Sequence, residues 1–284
     1  MRATSAACLW ERAGVRATCA AGTPSAPISA GMAVDNQAQP TQARAAEFGA
    51  IVVLGFGAAA VLLYLFAWLA TQVLAQQTQS LDTATLNALQ TYASPQLTLA
   101  AQAVSLMGSQ VVLVVGAALL ILFLWQRRWG AALTLVLVTA GAQVLNDILK
   151  DVFHRTRPEP VLGFIAAQQY SFPSGHAMVA AAFYLFVAYL AWRLVRGWWR
   201  GLIAGALILL VLLIGLARLY LEAHYLSDVI AGYLAGLIWT DTVILGGHVL
   251  GVRSRRRGAR ARPPAGAAQV EPSPASIPLG HRPS

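Results

Sequence analysis

Three short polar clusters interrupt an otherwise apolar chain, and each combines residue types that suit an anion. The first reads Lys150-Asp-Val-Phe-His-Arg-Thr-Arg157-Pro158. On a continuous helix Lys150 and Arg157 would stand nearly two turns apart and share a face, and Pro158 would end that helix at Arg157. Two cations on one face can grip an anion, and the same pair also suits interfacial anchors that reach lipid headgroups.

The second cluster is Tyr170-Ser-Phe-Pro173-Ser174-Gly175-His176, which runs straight into an apolar stretch. Ser174 suits a helix N-cap, and Gly175 lets a ligand come close to the backbone. Unsatisfied N–H groups at a helix start attract phosphate-like anions, and His176 in the first turn can give or take a proton there. An ordinary capped helix with an interfacial histidine fits the segment equally well.

The third cluster is Arg218-Leu-Tyr-Leu-Glu-Ala-His224-Tyr-Leu-Ser-Asp228. A four-residue spacing would let Asp228 accept a hydrogen bond from one nitrogen of His224, leaving the other as nucleophile or base. Arg218 adds a planar donor fork matched to phosphoryl oxygens. The plain alternative is a structural Arg218–Asp228 pair at the mouth of a helix bundle.

The elements that must position these clusters are membrane helices. The chain of 284 residues has 57% apolar and only 11% charged residues, with a mean hydropathy of +0.60. A soluble domain carries about 25% charged residues, so this composition excludes a typical soluble enzyme and a disordered chain. Six apolar runs reach or approach the roughly 20 residues that a bilayer demands. They are Phe48–Leu74, Leu97–Trp125, Trp129–Leu149, Ala177–Val195, Leu202–Ala217 and Val229–Leu250. The fifth is short, with Arg218 available to cap it at the interface.

Orientation follows from the cations. Arg127 and Arg128, then Arg193, Arg196 and Arg200, then the run from Arg253 to Arg262 mark one side as cytoplasmic. Both termini then lie in the cytoplasm, and the three polar clusters face outward. Lys150, Arg155, Arg157 and Arg218 oppose that trend and demand another reason for being there. Lys150 is moreover the only lysine among 20 basic residues. The net charge of +9 therefore reads as a topology anchor that also touches anionic lipid, not as a nucleic-acid patch.

The flanks are plainer. Residues 1–43 are read as a disordered N-terminal segment in which Met32 is the native start; N-terminal sequencing tests this. Residues 44–252 form the six-helix membrane domain, and 253–284 a basic, then Pro/Ala-rich disordered cytoplasmic tail. Cys8 and Cys19 lie far from any histidine cluster, giving neither a disulfide framework nor a metal site.

Taken together, Lys-x6-Arg-Pro, Pro-Ser-Gly-His and Arg-x5-His-x3-Asp occur in that order, each at an outer end of a span. The combination resembles the type 2 phosphatidic acid phosphatase (PAP2) superfamily over about Leu81 to Leu250, with Asp82–Gln90 and Gly108-Ser109 also similar to its membrane branch. One departure is Ala217, where the family usually has Ser before the arginine. The resemblance implies an all-α, PAP2/haloperoxidase-like six-helix bundle in the cell (inner or plasma) membrane.

The resemblance also implies that His224 attacks phosphorus, Asp228 orients it and His176 protonates the leaving oxygen. Lys150, Arg157, Arg218 and the Ser174–Gly175 backbone would bind the phosphate, with no metal and no cofactor. Expected substrates are lipid phosphates or isoprenyl diphosphates: undecaprenyl diphosphate, phosphatidylglycerophosphate or phosphatidic acid. Tyr170, Phe172, Tyr220 and Tyr225 could line a lipid entrance or form an interfacial aromatic belt. A phosphotransferase using the same residues is the alternative, and a lipid-phosphate transporter a weaker one.

Overall fold

The computed structural model describes residues 39–158 and 170–260. The chain divides into a unit of Met1–Ala45 and a unit of Ala46–Ser284, and the second carries every span and the site. Eight helices are described: α1 Gln39–Leu74, α2 Gln79–Gln90, α3 Pro95–Met107, α4 Gln110–Trp125, α5 Trp129–Phe153, α6 Gly175–Leu194, α7 Trp199–Tyr220 and α8 Leu226–Arg260. Six stretches are long and apolar enough to cross a membrane, with α3 and α4 together making the second. This is the all-α, six-span bundle the composition predicts.

Helix α6 forms the centre, packed against α5, α7 and α8. Its buried face is built from small residues, Ala177, Ala180, Ala181 and Ala182, with Phe183 and Phe186 filling the wider gaps. Inside a bilayer, close backbone approach replaces the hydrophobic driving force, so small residues hold such seams. Gly232 of α8 illustrates the point, because a Cβ there would stand 2.7 Å from the Ser174 carbonyl oxygen. That contact seats the start of α6 against α8.

The structure corrects four local expectations. The second run is broken at Gly108–Ser109 into α3 and α4. The fifth span is longer than the apolar run suggested, Trp199–Tyr220, so Arg218 belongs to the helix's last turn instead of capping it. Helix α5 stops at Phe153, where His154 adopts the left-handed conformation with φ 49°, so Lys150 and Arg157 do not share a helical face. Finally, α8 begins at Leu226, which leaves His224 in the turn before it.

The polar linker after α2 is also more structured than its composition suggests. Ser94 caps α3 by accepting from the Leu97 N–H at 3.3 Å, with Pro95 in the first turn. Helix α2 is amphipathic, burying Asp82 and Leu86 while exposing Leu81. The helix of α8 continues to Arg260, into the basic run assigned to the tail. Met32, the two cysteines and Pro263–Ser284 lie outside the described residues.

Candidate active site

Lys150, Arg157, Gly175, His176, Arg218 and His224, drawn from all three clusters, line one cavity of about 880 Å³. Each arrives by a different route. Lys150 occupies the last turn of α5 and Arg218 the last turn of α7. His176 stands in the first turn of α6, while Arg157 and His224 come from the connections between helices. The cavity continues between α4 and α5, where Val112, Leu113, Gly116, Leu135, Val136 and Ala140 make its wall apolar.

The strap from His154 to Arg157 is fixed by pairing with the residues ahead of α6. Thr156 and Tyr170 form the one isolated β-bridge among the described residues. The Ser171 N–H donates to the Arg155 carbonyl at 2.7 Å, and Ser171 Oγ donates to the Thr156 carbonyl at 3.0 Å. Phe172 is buried beneath, its ring centroid 4.8 Å from that of Phe153 and 6.0 Å from that of Phe66. An ordinary-looking Ser-Phe pair thus carries the frame of the site.

That frame orients His224. Its Nδ1 lies 2.9 Å from the Ser171 carbonyl oxygen and 3.7 Å from Asp228 Oδ2. A carbonyl only accepts, so the proton sits on Nδ1. Nε2, 3.4 Å from Arg157 Nη1, then presents its lone pair to a group that only donates. The buried ring is lowered to about 4, first by desolvation and against the opposing pull of Asp228. His224 is therefore neutral at physiological pH, with an unprotonated Nε2 facing the cavity beside Arg157.

Asp228 is fully buried, and its two oxygens have different partners. Oδ1 accepts from Arg155 Nη1 at 2.6 Å, and Oδ2 accepts from the Tyr225 N–H at 2.9 Å. The second-span break also faces the site: Arg218 Nη1 donates to the buried Ser105 of α3 at 2.9 Å, and Gly108 and Ser109 line the cavity. Arg157 Nη1 donates to the Ala223 carbonyl at 2.7 Å. Burial lowers Arg157 below the usual arginine value.

Two sequence expectations change at the start of α6. Ser174 Oγ makes no capping bond, and its N–H donates to the Asp228 carbonyl at 3.0 Å. That N–H is committed to seating α6 on α8. Gly175 does line the cavity, but a Cβ there would meet Asn146 Oδ1 at 2.9 Å. The close approach that needs glycine is to a side chain of α5.

The four aromatic residues considered for a lipid entrance or an interfacial belt do not line the cavity. Phe172 packs inward, Tyr170 stands edge-on to His154, and Tyr220 OH accepts from the Ser94 N–H at 3.0 Å. Tyr225 lies under the Arg155 guanidinium at 4.3 Å. Sequence reasoning missed Asn146, Ser105 and the Ser171 carbonyl, and left Arg155 unassigned. Asn146 is fully buried, donating through Nδ2 to the Pro173 carbonyl at 3.2 Å. Among the described residues, no cluster of three or more His, Cys, Asp or Glu could hold a metal ion.

The chain is similar to known proteins. Phosphatidylglycerophosphatase B of Bacillus subtilis is 32% identical over 133 residues, which is 45% of this chain and 62% of the relative. The chain therefore spans less than two thirds of that relative's length. The crystal structure of a transmembrane PAP2-type phosphatidylglycerolphosphate phosphatase from Bacillus subtilis superposes with a TM-score of 0.58 at 25% identity, covering 69% of this chain and 96% of that one. Aquifex aeolicus LpxE gives a TM-score of 0.46 at 26% identity over 58% of this chain and 94% of that one. Residues 131–247, which hold both cavity histidines and all three cavity cations, match the model of the PAP2 superfamily.

Proposed function

We propose that the chain is an integral-membrane phosphatase acting on a lipid phosphate through a phosphohistidine. One observation carries the reading: three cations and two histidines line a cavity whose remaining wall is mostly apolar and lies largely within membrane-crossing helices. Such a cavity suits a molecule with a phosphate head and a hydrocarbon tail. Leu113, Val136 and Val144 line it and are exposed, which is compatible with entry from the bilayer.

In this mechanism His224 Nε2 attacks phosphorus while His176 donates its proton to the departing oxygen, so the P–O bond breaks as the N–P bond forms. The phosphohistidine keeps its proton on Nδ1, directed at the Ser171 carbonyl, and Asp228 offsets the positive ring. Water then attacks phosphorus, giving its proton to His176, and the N–P bond breaks to restore neutral His224. Lys150, Arg157, Arg218 and the Gly175 N–H hold the non-bridging oxygens. Phosphoryl transfer depends mainly on positioning and charge stabilisation, which these groups supply.

The substrate class follows from the relative's name together with the cavity. Phosphatidylglycerophosphate comes first, with phosphatidic acid and undecaprenyl diphosphate as further candidates. The clustering of Arg127, Arg128, Arg193 and Arg200 at the helix ends opposite the cavity's polar end supports an extracytoplasmic site with cytoplasmic termini. The test is phosphate release by the purified protein on these three lipids, with EDTA and with vanadate. Release that survives EDTA and is blocked by vanadate is expected; no release from any lipid overturns the reading.

A further inference from the structure

Arg155 is the cation that opposes the positive-inside trend without lining the cavity. Its guanidinium is instead spent on a buried network that joins α2, the strap and α8. Nη1 donates to Asp228 Oδ1 at 2.6 Å and to Ser227 Oγ at 2.7 Å, while Nη2 donates to Asp82 Oδ2 at 2.8 Å. Asp82 closes the loop by accepting from the Ser227 N–H at 2.9 Å and from Ser227 Oγ at 2.6 Å. Both carboxylates are buried, and the guanidinium is covered by the Tyr225 ring at 4.3 Å. The carboxylates hold Arg155 firmly in its charged form.

We propose that Arg155 is a positioning residue for the nucleophile: by engaging Asp228 at one oxygen, it keeps that carboxylate from forming a close ion pair with His224. The geometry carries this. Asp228 lies 2.6 Å from Arg155 but 3.7 Å from His224, whose Nδ1 proton goes to the Ser171 carbonyl. Without the arginine, a buried carboxylate four residues from the histidine would have one strong partner left to seek. Pairing with it would favour the protonated ring and remove the lone pair from Nε2. Arg155 thus lets Asp228 steady a charged intermediate without protonating the resting histidine. The catalytic consequence rests on the phosphatase reading above; the effect on His224 does not.

Other charged groups face His224, namely Arg157 from the strap, Arg218 from α7 and His176 from α6, and Lys150 of α5 lines the same cavity. Asp82 of α2 stands behind Arg155, and Glu222 lies in the same turn as His224. The cations disfavour a protonated ring, and of the carboxylates Asp228 is nearest. Releasing Asp228 therefore changes the balance in one direction.

The test reads His224 directly, by NMR titration of histidine-labelled full-length protein in detergent micelles, with the resonance assigned from His224→Gln. In Arg155→Gln the midpoint is expected to rise by about one pH unit; an unchanged midpoint overturns the proposal. Arg155→Lys, which keeps a cation beside Asp228, is expected to restore most of the original value, and a shift equal to that of Arg155→Gln also overturns it. Asp82→Asn supplies the opposite sign if Arg155→Gln fails to fold. It leaves Arg155 to Asp228 alone, so the midpoint should stay or fall, and a rise contradicts the proposal. Phosphate release by the unaltered protein tests the phosphatase reading separately, because the titration needs no turnover.

Discussion

His224 directs its Nδ1 to the carbonyl oxygen of Ser171, at 2.9 Å, and holds Asp228 at 3.7 Å. The first distance is a hydrogen bond and the second is only a charge contact. The tautomer is therefore fixed by a backbone group with no charge of its own, so it does not raise the histidine's proton affinity as a carboxylate would. The carboxylate remains close enough to offset a positive ring. Orientation and charge compensation, often carried by one side chain, are divided here between a loop carbonyl and Asp228.

The first prediction concerns His224, the nucleophile in the proposed mechanism. His224→Ala removes the Nε2 lone pair that faces Arg157, while its loss should leave the helix seams intact. Phosphate release should fall at least about 1000-fold, the scale on which losing a covalent nucleophile acts. Size-exclusion profiles and helical content in detergent should match those of the original protein. A variant retaining near-normal turnover would remove His224 from the mechanism.

Stability should also depend on pH through the same residue. An unfolded histidine titrates near 6.5, whereas His224 is lowered to about 4 by burial. Between those values the unfolded chain takes up a proton that the fold refuses. The contribution is complete above about 6.5 and is lost as pH falls toward 4. Thermal unfolding in micelles should therefore shift down by roughly 5 °C from pH 7 to pH 4.5. His224→Gln should show a smaller shift, and equal shifts in the two proteins would contradict this origin.

Much of this site is legible in the sequence because charge is conspicuous in an apolar chain. Lys150, Arg157, His176, Arg218 and His224 stand out by type, and all five line the cavity. The helix-face argument for Lys150 and Arg157 nevertheless fails, because α5 stops at Phe153 and the strap brings Arg157 back by pairing with Tyr170–Ser171. Hydropathy sees length but not bond pattern, so it joined α3 and α4 into one span across Gly108–Ser109. The Ser171 carbonyl left no trace at all, since every residue has one. Arg155 did leave a signal, a cation on the wrong side, but its partner Asp82 lies 73 residues away and only the fold joins them.

Ser105 supplies a prediction about how the cavity cation Arg218 is held. Buried Ala217 gives Arg218 no hydroxyl from the preceding position, and Ser105 of α3 accepts from Nη1 at 2.9 Å. A hydrogen bond to a charged group contributes about 1.5–3 kcal/mol. If that bond holds Arg218 in place for the transition state, Ser105→Ala should lower kcat/KM roughly 10- to 100-fold on the preferred lipid. Ser105→Thr, which retains the hydroxyl, should recover part of the loss. Wild-type kinetics in Ser105→Ala would mean that Arg218 is positioned without this contact.

The last prediction separates the head of the substrate from its tail. The apolar part of the cavity runs between α4 and α5, where Gly116 and Ala140 keep it open by contributing almost no side chain. Ala140→Trp would fill that space far from Lys150, Arg157 and the two histidines. On the proposed reading, a long-chain lipid phosphate needs the groove for its tail, whereas a short-chain analogue needs only the polar end. Turnover of the long-chain substrate should drop about 10-fold or more, since even a methylene misfit in such a pocket discriminates on this scale. Phosphate release from the short-chain analogue, measured in the same detergent, should stay within about twofold of the original. Equal losses on both substrates would mean that the substitution damages the phosphate site itself, and that the groove between α4 and α5 does not hold the tail.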